Sequence, residues 1–143
     1  MLGPVSARAA SAYKRVGIET SVDGADPHHL IALLFEALLQ SLAQARAALD
    51  RGDLQTKGEQ IVSAVRFLEE GLKAGLSPDG GELTVNLRGV YDYSIARLTV
   101  ANLRNNGALI DEIIELIEPV AEAWKHIGNE VSARAPAAQA VGA

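Results

Sequence analysis

His28, His29 and His126 are the side chains best suited to proton, phosphate or metal chemistry in this chain, because an imidazole changes charge near neutral pH. Their surroundings do not support such chemistry. A di-iron site in a helical protein needs inward Glu residues and Glu-x-x-His pairs, whereas the closest approach here is Glu122 and His126, four apart. His28 and His29 fall in the first turn of a helix, where unpaired backbone N–H groups dominate, so a capping or solvated role is expected rather than phosphate relay. Asp111, Glu112, Glu115, Glu118 and Glu122 are spread over several turns, as a wet helix face requires. There is no cysteine, which excludes disulfides, thiol catalysis and Cys-ligated zinc. No Ser, His and Asp order pairs a nucleophile with a base, and Gly80-Gly81 is a turn rather than a phosphate loop. The residues point away from an enzyme, and no cofactor or metal is expected. A phosphorelay or metal-binding bundle using the three histidines is the alternative reading.

Four helices would have to position these side chains. The first opens at Asp26-Pro27, a capping residue followed by the residue best tolerated at the first helical position, and closes at Gly52. Asp53 caps the second, whose face is Ile61, Val65, Leu68 and Leu72 and which Gly75 and Pro78 end. After Pro78-Asp79-Gly80-Gly81, the third shows Leu83, Leu87, Val90, Ser94, Leu98 and Ala101 on one face until Asn105-Asn106-Gly107. The fourth carries Ile110, Ile113, Ile114, Ile117, Val120, Ala121, Trp124 and Ile127, with Pro119 expected to bend it. Short connections between long helices predict an all-α, antiparallel up-down four-helix bundle over residues 26–131. Residues 1–25 form an N-terminal helical arm packing over it, and residues 132–143, rich in Ala, are expected to be disordered.

Composition agrees with a bundle of this kind. Of 143 residues, 24 are Ala and only 6 are aromatic, so small and aliphatic side chains must fill the core. Lys+Arg 13 against Asp+Glu 18 gives a net charge of −5, which disfavours nucleic acid. The longest apolar run, Leu30 to Phe35, is far short of the ~20 residues of a membrane helix. No secretory leader is recognisable, and a cytoplasmic location without membrane insertion is expected.

Apolar surface is in excess. The first helix has Leu30, Ile31, Leu33, Leu34, Phe35, Leu38, Leu39 and Leu42 on more than one side. The third has Val85, Tyr91, Tyr93, Ile95, Val100 and Leu103 beside its main stripe. Such helices are either buried on several sides or reserved for a partner. The arm, with Val5, Tyr13, Val16 and Ile18, is one candidate cover. A second copy of the chain and an amphipathic segment of another protein are the other two. Trp124 is expected in the core, and Tyr91 and Tyr93, about 200° apart around their helix, cannot share one face.

The segment Asn86-Leu87-Arg88-Gly89-Val90-Tyr91-Asp92-Tyr93, followed by Leu98 and Ala101-Asn102, resembles the signature of the flagellin export chaperones of the FliS type. Ala12-Tyr13-Lys14 with Val16 and Glu19-Thr20, Pro27 to Leu30, Leu33-Leu34-Phe35, Gly80-Gly81-Glu82-Leu83 and Ala123-Trp124 extend the likeness in order. Val90 and Phe35 depart from the family's usual Leu and Tyr but keep apolar character. The resemblance implies a non-enzymatic cytoplasmic bundle that binds the C-terminal segment of unassembled flagellin, prevents premature polymerisation and assists delivery to the export gate. It also implies that Tyr13 and Val16 compete internally with the client. Tyr13, Val16, Leu30, Leu34, Leu68, Leu87, Tyr91, Tyr93 and Asn102 are accordingly the expected partner-binding residues.

Overall fold

The computed structural model describes the backbone from residue 26 to 142 and side chains from residue 26 to 127; the expected arm, with Tyr13 and Val16, lies outside the described residues. The described chain is all-helical. Helix α1 is Pro27–Asp50, α2 is Leu54–Arg66 and runs into a π-helical segment, Phe67–Lys73, α3 is Gly81–Arg104 and α4 is Gly107–Gly142.

Local chemistry sets most of these limits. Asp26 accepts the His28 N–H at 3.1 Å and Asp53 accepts the Thr56 N–H at 3.1 Å, so each helix start has a side chain satisfying an orphan donor. Gly52 at φ 76° turns the chain between α1 and α2, where a Cβ would be strained. Asn105 ends α3 in the left-handed region at φ 53°, and Asn106 then accepts the Ala108 N–H at 3.0 Å to begin α4.

The helices meet as a bundle. Helix α1 packs on α2, the π segment and α4; α3 packs on α2, the π segment and α4. His28 of α1 meets Trp124 of α4 and Arg46 of α1 meets Asp111, so contacts run in opposite order along the two helices. Lys57 with Asn102, and Lys73 with Asp92, do the same for α2 and its π segment against α3. The core consists of Leu30, Leu34, Phe35, Leu38 and Leu42 from α1, Ile61, Leu68 and Leu72, Tyr91 and Leu98 from α3, and Ile110, Ile113 and Ile117 from α4. Phe35 and Tyr91 close the diagonal, with ring centroids 6.5 Å apart. By length and composition α1 could span a membrane, but it packs on α2, the π segment and α4, and Leu30, Leu34, Phe35, Leu38 and Leu42 are buried in the core.

Four expectations are corrected. Trp124 is half-buried at the rim rather than in the core, and Ile127 is exposed, because α1 begins beside Trp124 and offers nothing to pack on further along α4. At the start of α3, Thr84 and Tyr91 are buried while Leu83 is 60% exposed, because α2 has already ended and leaves that corner open. The second helix is not α-helical throughout: its last seven residues take the wider π pitch. Residues 132–142, expected without structure, continue α4, in line with the high helix propensity of their alanines.

Candidate functional site

The open corner is a groove of ≈ 190 Å³ between the start of α1, the end of the π segment, the start of α3 and Trp124 of α4. Ile31, Leu72, Leu76, Leu83, Leu87 and Trp124 supply its apolar wall, and among the described residues no Asp, Glu, Lys or Arg lines it. Gly75 lies beside α1: a Cβ there would meet Ile31 Cδ1 at 3.4 Å, an ordinary contact, and the Gly71 carbonyl oxygen more tightly at 3.1 Å. Thr84, also in the wall, turns its hydroxyl away and donates to the Ser77 carbonyl at 2.9 Å. His28 completes one side. Its ring stacks on Trp124 at 4.1 Å with 12° between planes, its carbonyl accepts the Trp124 indole N–H at 3.0 Å, and its Nε2 is buried with no partner among the described residues. Tyr91 also borders the groove, and burial pushes its hydroxyl well above its ordinary pKa.

A second exposed surface lies along α3. Val85 is 68% exposed, Tyr93 45% and Leu103 81%. Tyr93 is held rather than free: its hydroxyl donates to Glu112 Oε2, Arg97 Nε donates to Glu112 Oε1 at 3.0 Å, and the Arg97 guanidinium lies 5.8 Å from the Tyr93 ring centroid. The Tyr93 hydroxyl, then Arg97, hold the Glu112 carboxyl below the usual carboxylate range, and the same bond raises the Tyr93 pKa.

The expected partner-binding residues divide. Leu30, Leu34 and Leu68 are fully buried, and no partner reaches them without opening the core. Helix α1 is apolar on several sides because it is packed on several sides. Tyr91 is nearly buried but forms the floor of the groove, and Leu87 forms its wall. Tyr93 is on the exposed face of α3. Asn102 serves the fold: its Oδ1 and carbonyl oxygen accept from the buried Lys57 ammonium at 2.7 Å and 3.0 Å. His28, Ile31, Gly75 and Leu83 complete the groove and were not expected there; the apolar register of Ile31 and Leu83 was visible, but the pairing of α1 with Trp124 was not. Among the described residues, no group of three or more His, Asp or Glu side chains could hold a metal ion.

An apolar groove on a helical bundle is a surface suited to receiving a partner. The family model described as flagellar protein FliS matches residues 9–131. The chain is similar to the flagellar secretion chaperone FliS of Salmonella typhimurium, 43% identical over 128 residues that cover 89% of this chain and 95% of the relative. It is 41% identical to the flagellar secretion chaperone FliSB of Pseudomonas aeruginosa, over 85% of this chain and 97% of that one. It is 34% identical to FliS of Escherichia coli, over 84% and 89%. The chain belongs to the FliS family, a family of chaperones rather than enzymes.

Proposed function

We propose that the chain is a cytoplasmic export chaperone that holds the C-terminal segment of unassembled flagellin until it is passed to the export gate. The groove between Ile31, Leu76, Leu83, Leu87 and Trp124 carries this reading, because an uncharged apolar cleft on an acidic protein is suited to the apolar face of an amphipathic helix. Relatives are named flagellar secretion chaperones, which supports a client from the flagellum. A client that polymerises through apolar faces stays soluble only while those faces are covered.

Residues 1–25 join α1 at Asp26, and Pro27 and His28 already belong to the groove wall. Tyr13 and Val16 therefore start from a tether at the mouth of the cleft and compete with the client at high effective concentration. A cover costing about 2 kcal/mol to lift weakens client binding roughly thirtyfold and makes release easier. Deleting residues 1–16 is expected to tighten binding of a flagellin C-terminal peptide, measured by calorimetry, with little loss of bundle stability. Unchanged affinity would show that the arm does not compete. Leu83→Asp, which puts a charge into the wall at an exposed position, is expected to weaken the same peptide at least tenfold. Wild-type affinity in that variant would place the client elsewhere.

A further inference from the structure

We propose that Asn106 and Gly107, in the connection between α3 and α4, form a site of spontaneous covalent modification at which Asn106 is converted to aspartate and isoaspartate. The chain has five Asn residues, and only Asn106 is followed by Gly; Asn86 and Asn102 precede Leu, Asn105 precedes Asn106 and Asn129 precedes Glu. The side-chain carbonyl carbon of an Asn is open to attack by the next residue's backbone nitrogen, and a Gly there brings no Cβ to crowd the approach. The structure leaves both reacting groups available. Asn106 is exposed. Gly107 is the first residue of α4, so its N–H has no acceptor within the helix, whereas the N–H groups that follow Asn86 and Asn102 are inside α3 and held by its ladder. Two donors already meet the oxygen on which charge develops: Asn106 Oδ1 accepts the Ala108 N–H at 3.0 Å and the Leu109 N–H at 3.4 Å. Arg46 keeps the second residue of the pair a Gly. A Cβ at Gly107 would lie 2.5 Å from Arg46 Nη1, and that guanidinium is held by Asp50 at 2.5 Å and Asp111 at 2.9 Å.

The Gly107 nitrogen loses its proton to hydroxide and bonds to Asn106 Cγ, and the carbonyl electron pair moves onto Oδ1, where the two N–H groups already donate. Collapse breaks the Cγ–Nδ2 bond and, with a proton from water, ammonia leaves. Asn106 and Gly107 then share a succinimide ring. Water opens it at either carbonyl. Cleavage between the nitrogen and Cγ leaves an aspartate in a normal chain; cleavage between the nitrogen and the backbone carbonyl carbon leaves an isoaspartate, whose main chain runs through Cβ and Cγ. Overall one water is consumed and one ammonia released, with no change of oxidation state. The aspartate keeps an acceptor for the Ala108 N–H, so α4 remains capped. The isoaspartate adds a backbone atom between the left-handed Asn105 and the start of α4, which moves the cap out of register. Loss of ammonia makes the change one-way, and its extent records the age of a chain.

The test uses the full chain, incubated at physiological temperature and several pH values, then digested and mapped by mass spectrometry. Isoaspartate is counted by enzymatic transfer of a labelled methyl group to its free α-carboxylate. Asn106 is expected to gain about one mass unit at least about fivefold faster than any other Asn, and its rate to rise about tenfold between about pH 7 and 8, because the attacking nitrogen must first be deprotonated. Asn106→Ser keeps a capping oxygen but has no amide to lose, and is expected to abolish the change at this position while circular dichroism stays as in the wild type. The same incubation in urea separates structure from sequence: the folded rate is expected to stay within about tenfold of the unfolded one. A folded chain that keeps Asn106 intact while the unfolded chain loses it would show that the cap protects the pair, and overturns the proposal. Faster change at any other Asn, or methyl-accepting isoaspartate that persists in Asn106→Ser at the wild-type level, overturns it as well.

Discussion

At the residue scale, the two polar clusters at the edges of the exposed surfaces bind helices to one another and leave distinct experimental signatures. Glu112 is held below the usual carboxylate range by the Tyr93 hydroxyl and Arg97. A carboxylate depressed in the folded state contributes stability that is present above its unfolded pKa of about 4.3 and is lost as pH falls through the lower folded value. Stability of the wild type is therefore expected to decline between about pH 5 and 3, and Glu112→Gln to make that decline shallower. Chemical denaturation at several pH values reads it, and an identical slope in the variant would show that the cluster does not stabilise the fold. At the other edge, Trp124 joins α4 to the first turn of α1 by one hydrogen bond and one stacked pair. Because Trp124 is half-buried, Trp124→Ala is expected to cost about 2 kcal/mol, less than truncating a wholly buried Trp. Thermal unfolding measures this, and a cost near 4 kcal/mol would mean the rim position is far better packed than its exposure indicates.

At the element scale, what was legible in the sequence was local. Asp26, Asp53 and Asn105 mark helix limits because capping depends on neighbours within a few residues. Residues that meet across helices were not legible: His28 and Trp124 are 96 positions apart and Lys57 and Asn102 are 45 apart, and both pairings depend on how each helix is rotated. Residue type alone could not decide whether the surplus apolar side chains of α1 and α3 were inside or outside. The structure puts Leu30, Leu34 and Phe35 in the core and leaves Val85 and Leu103 in water. Asn102 shows how a signature residue can serve the fold. It satisfies a buried ammonium, so Asn102→Ala is expected to lower stability by about 1 to 2 kcal/mol without changing peptide affinity. Reduced affinity with intact stability would return Asn102 to the binding surface. The π segment was likewise hidden, since its apolar spacing reads as ordinary helix. A π turn holds one residue more than an α turn, so deleting exposed Glu69 is expected to be tolerated far better than deleting Glu59 from regular α2. Equal loss of helicity on circular dichroism would contradict this.

At the scale of the whole molecule, the fold separates burial from availability. Helix α1 is spent on the interior, while the corner where α2 stops short of α3 leaves a cleft whose wall bears no charge. Pro27, beside the point where residues 1–25 join α1, lines the cleft. The account stands on the cleft being the site that receives the flagellin C-terminal segment. Because Trp124 is the only tryptophan and lines the cleft, its fluorescence during titration with that peptide tests the claim most directly. The account predicts a saturable one-to-one shift in Trp124 emission that Leu83→Asp weakens; binding by calorimetry with no change in Trp124 emission, or no binding at micromolar concentrations, would contradict it.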